Sequence, residues 1–309
     1  MINVLFAAKA DRWAAYEPHL KSGLAAAGLT ADLRTEFPPE EVDYIIYAPN
    51  SAVQDFTPYT RLKAVLNLWA GVESVVGNPT LKAPLARMVD PGMTQGMIEW
   101  VVGHVMRHHL GMDRNILRQD GTWEPHIPPL AQNRRVTVLG LGELGSACAT
   151  KLSQLGFDVA GWSRRPKDVK GVTCLAGEDG LTAALSRADI LVLLLPKTPA
   201  TENLLDAKRL AQMPAGAMIV NPGRGQLIDD EALLATLNSG HIAQATLDVF
   251  RIEPLPADHP YWAHPNVTVT PHIASETRTE TASQVVVENI RRGEAGEPFL
   301  HLVDRAAGY

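Results

Sequence analysis

The chain has 309 residues, 46% hydrophobic and 20% charged, with 34 acidic side chains against 28 basic ones and a net charge of −6. That length predicts two domains of ordinary globular composition. The acid excess, with no basic tail or stripe, excludes an electrostatic nucleic-acid binder, and no apolar run is long enough to predict a membrane span. Cys148 and Cys174 lie far apart without metal-ligand spacing, which predicts neither a disulfide framework nor a metal site. The opening MINVLFAAKADRW has no basic leader and too short an apolar run for a signal sequence, so a cytoplasmic protein is expected.

In chain order, INVLFAA reads as a buried strand, WAAYEPHLKSGLAAAG as a helix closed by Gly28, and VDYIIYA and LKAVLNL as further buried strands. Strands alternating with helices predict a parallel sheet covered on both faces. TQGMIEWVVGHVMRHHLGM places Met97, Trp100, Val101, His104, Val105 and His108 at helical spacing, a long helix with apolar residues on most sides. DGTWEPHIPPLAQN is a proline-rich connection. A second series then runs from RRVTVLGLGELG through DVAGWS, DILVLLLP, GAMIVNPG, IAQATLDVF and NVTVTPH. Those six strands are the number in a complete dinucleotide-binding sheet. ETRTETASQVVVENIRRG, after Ser275, predicts one helix that returns to the first domain.

VTVLGLGELGSACATKLSQLG sets Gly140, Gly142 and Gly145 in a G-x-G-x-x-G arrangement after a strand and before a helix, the context that motif requires. Gly140 permits the tight turn, Gly142 lets a pyrophosphate approach the backbone, and Gly145 permits close helix–sheet packing. The helix opens with Glu143 and Leu144 and offers free N–H groups and a positive dipole end to phosphates. The expected fold class is therefore α/β, two doubly wound parallel-sheet domains. Residues 93–274 form a Rossmann NAD(P)-binding domain, inserted in a flavodoxin-like substrate domain made of 1–92 plus 275–309.

The strand after the glycine turn ends at Trp162. An NAD-binding chain carries an acid about twenty residues beyond the glycines, hydrogen-bonded to the ribose 2′-OH. Here Ser163, Arg164 and Arg165 stand in its place, with Lys167 close behind. An acid would repel a 2′-phosphate and this cluster attracts one, so NADP(H) is expected in preference to NAD(H). A hydrogen bond to a charged group contributes roughly 1.5–3 kcal/mol, so one good arginine contact is worth about one to two decades of preference. The other reading of these residues is a solvated basic loop.

NPGRGQLIDDEALL, LDVFRIEPLP and VTVTPHIASET, in that order, resemble the D-isomer-specific 2-hydroxyacid dehydrogenase family, and the resemblance covers nearly the whole chain. RMVDPGMTQGMIEWV, GWSRRPK and the terminal VDRAAGY are similar to the glyoxylate/hydroxypyruvate reductase branch of that family. The resemblance implies NADPH-dependent reduction of glyoxylate, hydroxypyruvate or a related short 2-oxo acid to the D-2-hydroxy acid. It implies that Arg224 binds the 2-oxo acid and polarises its ketone, that His272 is the acid/base, and that Glu253 orients it.

The chemistry supports those assignments. Ketone reduction puts a hydride on carbon and a proton on oxygen. Imidazole has a reference pKa near 6.5 and is largely neutral at pH 7 unless a carboxylate keeps it charged. Arginine suits a planar carboxylate or 2-oxo acid because its fork donates two parallel hydrogen bonds. Each residue also has an ordinary reading, as a loop cap, a surface acid or a strand-end histidine. Together, at the carboxyl ends of strands, they point to a site.

The resemblance further implies that the backbone of Ala70, Gly71 and Val72 in NLWAGVESV holds the substrate carboxylate. Trp69, where a smaller residue is expected, and Tyr47 would then bear on which side chains fit. It places Leu195 and Pro196 beside the nicotinamide ribose and Asp248 near the nicotinamide amide. It implies a homodimer, for which the helix from Thr94 would serve as the interface, unless that helix is an interdomain spine. His104 and His108, four apart, lack the glutamate and third ligand of a zinc site and read as a packed helix face. Arg87 is either a substrate contact or structural. The alternatives are a dehydrogenase of this family acting on another 2-hydroxy acid, phosphoglycerate and formate dehydrogenases included, or a dinucleotide-sensing corepressor-like binding protein. The stop soon after the last helix and Glu253, where formate enzymes carry glutamine, disfavour the first two; the lack of disordered tails disfavours the last.

Overall fold

The computed structural model describes residues 1–308; Tyr309, which ends the VDRAAGY stretch, lies outside the described residues. The chain divides into two compact units, Met1–Met93 with the chain from Glu276 onward, and Thr94–Ser275. Among the described residues no helix is long and apolar enough to cross a membrane.

The first unit begins with β1 (Ile2–Ala7), α1 (Ala10–Ala26), β2 (Ala31–Arg34), β3 (Tyr44–Tyr47), β4 (Ala64–Asn67) and β5 (Leu85–Ala86). Its strands pair in parallel in the order β2-β1-β3-β4-β5, the flavodoxin-type arrangement. The central strands YIIY and AVLN are buried at every position, as strands covered on both faces must be. β2 and β5 are not among the predicted strands. Half of the ADLR segment is charged, and β5 is two residues long, so neither carries a periodic signal. The exposed edge of β5 is closed by the far end of the chain: Val303 N donates to Leu85 O at 2.8 Å and Arg87 N to His301 O at 3.0 Å.

The second unit carries α2 (Pro91–Leu110, whose first turn belongs to the first unit), α3 (Met112–Ile116), β6 (Arg135–Leu139), α4 (Glu143–Gln154), β7 (Asp158–Ser163) and β8 (Thr173–Ala176). It continues with α5 (Gly177–Arg187), β9 (Ile190–Leu193), α6 (Ala207–Leu210), β10 (Ala217–Asn221), α7 (Asp230–Asn238), β11 (Ile242–Leu247) and β12 (Val267–Val269). These form a seven-stranded, all-parallel sheet in the order β12-β11-β10-β9-β6-β7-β8. The strand not predicted is β8, a half-buried edge segment, TCLA. Alternate residues serve opposite faces: Leu139, Leu191, Leu193 and Ile219 pack on one side, Val136, Val138, Ile190, Val192 and Val220 on the other. Strand order reverses between β6 and β9, the point where sheets of this kind leave a crevice at their carboxyl edge. The chain then returns to the first unit as α8 (Thr279–Ala295), which packs on α1 and seats Val287 beside Gly23.

Met97, Val101 and Val105 of α2 pack into the core of the second unit, where the long apolar helix finds its cover. His108 on the same helix is buried, with Nδ1 3.1 Å from Gln244 Oε1 and Nε2 3.0 Å from Thr246 Oγ1. It is a hydrogen-bonded core histidine, and no cluster of three metal-ligating side chains forms among the described residues. Burial pushes its pKa from 6.5 down to about 4. Between those two values the unfolded chain binds the proton that the folded chain refuses, so stability must rise with pH across that window. Acidification from pH 7 to pH 4 should cost on the order of 3 kcal/mol through this residue alone. Denaturant titrations of the wild type and His108→Phe at both pH values should show the acid-dependent loss shrinking in the variant.

Candidate active site

Six strand-end segments of the second unit meet at the carboxyl edge of its sheet, and the backbone does most of the joining. Gly140 N donates to Trp162 O at 2.8 Å, which ties the turn after β6 to the end of β7, and Leu194 N donates to Leu139 O at 2.8 Å. Gly140 has φ +108, and a Cβ there would lie 2.4 Å from Leu194 O. A Cβ on Gly145 would lie 1.7 Å from Gly140 O, so α4 can begin only with glycine at this position. Gly142 is different. It has an ordinary φ of −76°, and a Cβ there would meet nothing within 4 Å. The protein's own packing gives no reason for a glycine at 142, whereas a ligand lying on the turn does. Gly142 also supplies no side-chain cap to α4, so the helix starts with uncapped N–H groups at Glu143 and Leu144.

Beyond Ser163, one residue later than the sequence predicts, the chain leaves the sheet. Ser163 Oγ donates to Arg165 O at 2.7 Å, which curls the loop and leaves Arg164 and Arg165 exposed. On the other side of the turn, the segment after β9 carries Leu195 and Pro196. Thr201 Oγ1 donates to the Pro196 carbonyl at 2.7 Å and fixes that bend.

The second half of the edge carries titratable groups. Buried Asn221, the last residue of β10, donates from Nδ2 to Arg224 O at 3.0 Å and accepts from Gly223 N at 3.1 Å. The next glycine, Gly225, is forced by backbone contact, since a Cβ there would lie 2.1 Å from Phe250 C. That approach sets Arg224 beside the loop after β11. Within that loop Phe250 N donates to Glu253 Oε1 at 2.9 Å, and Glu253 Oε2 lies 2.7 Å from His272 Nδ1. The hydrogen bond to Glu253 raises the His272 pKa; burial and the Arg224 cation oppose it, while the Glu253 and Asp248 charges assist. Burial tends to raise Glu253, but hydrogen bonds from His272 and Phe250 outweigh it and hold that carboxyl below its usual value. Both shifts favour an imidazolium–carboxylate pair with the other ring nitrogen free for chemistry.

Asp248 lies beneath this pair, fully buried. Oδ1 accepts from Thr270 Oγ1 at 2.6 Å and Ile273 N at 2.9 Å, and Oδ2 accepts from Ala274 N at 2.9 Å. Its oxygens are taken up by the chain itself, so the structure shows it as the residue that positions the His272 segment. The sequence marks Asp248 only for a place near the cofactor, and it leaves Asn221 unmarked altogether. A signal exists, since a short polar side chain ending an apolar strand is suited to bond the loop beyond it.

The predicted residues of the first unit lie at the carboxyl ends of β3 and β4. Trp69 is exposed and Val72 is buried. Tyr47, at the end of β3, is buried in the core with its ring 5.5 Å from that of Phe56. Asn67, another residue that no sequence motif singles out, is buried at the end of β4 and donates to Trp69 O at 2.8 Å and Gly71 O at 3.0 Å.

The family model for D-isomer specific 2-hydroxyacid dehydrogenase, NAD binding domain, matches residues 100–274. Glyoxylate/hydroxypyruvate reductase A of Yersinia enterocolitica is 39% identical over 298 residues, 94% of each chain. Among solved structures, a D-isomer specific 2-hydroxyacid dehydrogenase from Xanthobacter autotrophicus Py2 in complex with NADPH and MES superimposes with a TM-score of 0.93 at 42% identity, over 100% of this chain and 99% of that one. An NADPH-dependent glyoxylate/hydroxypyruvate reductase from Sinorhizobium meliloti, in complex with NADP and sulfate, gives a TM-score of 0.87 at 33% identity over 100% of both chains.

Proposed function

The chain belongs to the D-isomer-specific 2-hydroxyacid dehydrogenases, NAD(P)-dependent oxidoreductases, and we propose that it reduces glyoxylate, hydroxypyruvate or a related short 2-oxo acid to the D-2-hydroxy acid with NADPH. The observation that carries the reading is the His272–Glu253 pair, a proton held on imidazole next to the Arg224 cation.

The turn fits a dinucleotide, because Gly142 leaves open the space a Cβ would fill and the first N–H groups of α4 are uncapped. The residues that would hold it are Gly140, Gly142, Glu143, Leu144 and Gly145 at the turn, Leu195 and Pro196 beside the nicotinamide ribose, and Ser163, Arg164 and Arg165 at a 2′-phosphate. When bound there, a reduced nicotinamide supplies the hydride. His272 delivers the proton to the ketone oxygen from the ring nitrogen that Glu253 does not touch. Glu253 keeps the imidazole charged until then and fixes its plane. Arg224 binds the 2-oxo acid through its guanidinium fork and draws charge towards the ketone oxygen. The N–H groups of Ala70, Gly71 and Val72 hold the substrate carboxylate, and Trp69 limits the side chains that the site accepts.

The titration of His272 sets the pH dependence. Reduction needs the protonated ring, so kcat/KM should hold steady at low pH and fall as pH rises through its raised pKa. Glu253→Gln removes the main cause of the raise, so the fall should move to lower pH. His272→Ala should lower kcat by about 10²–10⁴-fold, and Arg224→Ala should nearly abolish glyoxylate turnover, both with NADPH binding largely intact; wild-type rates in either variant would sink the assignment. Arg164→Ala with Arg165→Ala should raise KM for NADPH far more than KM for NADH, whereas equal losses would make the segment an ordinary surface loop.

We also propose a homodimer. Between α2 and β6, six large apolar side chains stand exposed in one stretch: Met112, Ile116, Leu117, Trp123 (95% exposed), Ile127 (88%) and Leu130. In the proposed dimer a second copy of the chain covers this stretch with its own equivalent one. Light scattering behind gel filtration should give twice the 33.5 kDa of one chain, and Trp123→Ser with Ile127→Ser should shift the mass towards that of a monomer.

A further inference from the structure

The loop after β4 has an unusual division of its polar groups. Three of its carbonyls are occupied from behind: Thr277 Oγ1 donates to Leu68 O at 2.9 Å, Met88 N to Trp69 O at 3.0 Å, and Asn67 Nδ2 to both Trp69 O at 2.8 Å and Gly71 O at 3.0 Å. Among the described residues, none of the N–H groups of Ala70, Gly71 and Val72 donates to a protein acceptor.

A trans peptide is planar, and its C=O and N–H point in opposite directions. A carbonyl drawn to Asn67 therefore turns the N–H of the next residue away from Asn67. Holding Trp69 O directs Ala70 N–H outward, and holding Gly71 O directs Val72 N–H outward. One buried side chain thus orients two peptide planes. Of the two, the Gly71–Val72 peptide depends on it more, because Trp69 O keeps Met88 N as a second partner. Asparagine is well suited to this double hold. Its amide has two N–H donors, both used here, and Asn67 is only 1% exposed, so water does not compete for the carbonyls.

We propose that Asn67 is a positioning residue for carboxylate recognition, holding the 69–72 loop so that the Ala70 and Val72 N–H groups converge on the carboxylate of the 2-oxo acid. This rests on the substrate reading above and assigns part of its selectivity to a residue that never touches substrate. Oriented backbone amides attract anions without presenting a full charge, so these N–H groups select for the carboxylate common to short 2-oxo acids.

The test is steady-state kinetics of Asn67→Ala and Asn67→Asp with glyoxylate and NADPH, with oxamate as a carboxylate-bearing inhibitor and oxamide as its neutral counterpart. Asn67→Asp keeps the side-chain volume and replaces the donating amide by oxygens facing two carbonyls, so it serves where the alanine variant does not fold. Both variants should raise KM for glyoxylate and the inhibition constant of oxamate by about tenfold or more, with kcat within about threefold and KM for NADPH unchanged, the pattern of lost ground-state binding. The weak binding of oxamide should not change. Unchanged KM for glyoxylate in an active variant overturns the inference, as does a loss of kcat and NADPH affinity in step with thermal stability, which marks a structural role only. A wild-type chain inactive on every 2-oxo acid removes the substrate reading and this inference with it.

Discussion

A buried carboxylate outside any ion pair is costly unless its oxygens are fully hydrogen-bonded, and Asp248 meets that condition with donors from one short segment. Thr270, Ile273 and Ala274 all converge on it, while its own backbone accepts from His272 N at 2.9 Å and donates to Asn221 O at 3.0 Å. The result is a clamp across β10, β11 and the chain after β12. His272 sits in the middle with φ +54, a left-handed conformation that is rare for a residue with a side chain and costs roughly 1 kcal/mol or more. The clamp sustains that conformation, and the conformation aims the imidazole at Glu253. The proposed proton transfer depends on this arrangement.

The two units solve the same problem with the same device. A parallel strand ends by releasing the backbone from its ladder, and the freed groups must be satisfied if the following loop is to hold one shape. In both units an asparagine at the last strand position supplies the bonds, Asn67 after β4 and Asn221 after β10. Asparagine can donate and accept from one short, stiff stem, which suits a loop that must present backbone on one side and side chains on the other. Where backbone meets backbone, at Gly145 and Gly225, the chain gives up the side chain instead.

Most of the architecture is legible in the sequence because fully buried, uniformly apolar strands such as YIIY and ILVL are both strongly patterned and structurally central. The edge strands are not: β2 and β8 are only partly buried and mix polar with apolar residues, and β5 has two residues, so each owes its conformation to a neighbour instead of its own periodicity. At the site, glycines and motif residues stand out because their chemistry is local. Asn67 reads as one polar interruption in LKAVLNL, and only a chain that turns back on itself gives it a purpose. Tyr47 is the opposite case: its place at a strand end is legible, but its packing against Phe56 depends on residues nine positions further on.

The far end of the chain closing the edge of β5 has a bearing on how this protein is made. Thr94–Ser275 is continuous, so every contact within that unit is in hand once its last residue has been synthesised. The other unit lacks α8, which covers α1, and the residues around Leu302 that bridge to Ala86, until the final stretch is out of the ribosome. Its five-stranded sheet therefore waits, with a helix-sized apolar surface uncovered, through the synthesis of the whole insertion. Order of synthesis thus leaves that surface open to chaperones and proteases while residues 94–275 are made, although the strands beneath it are made before them.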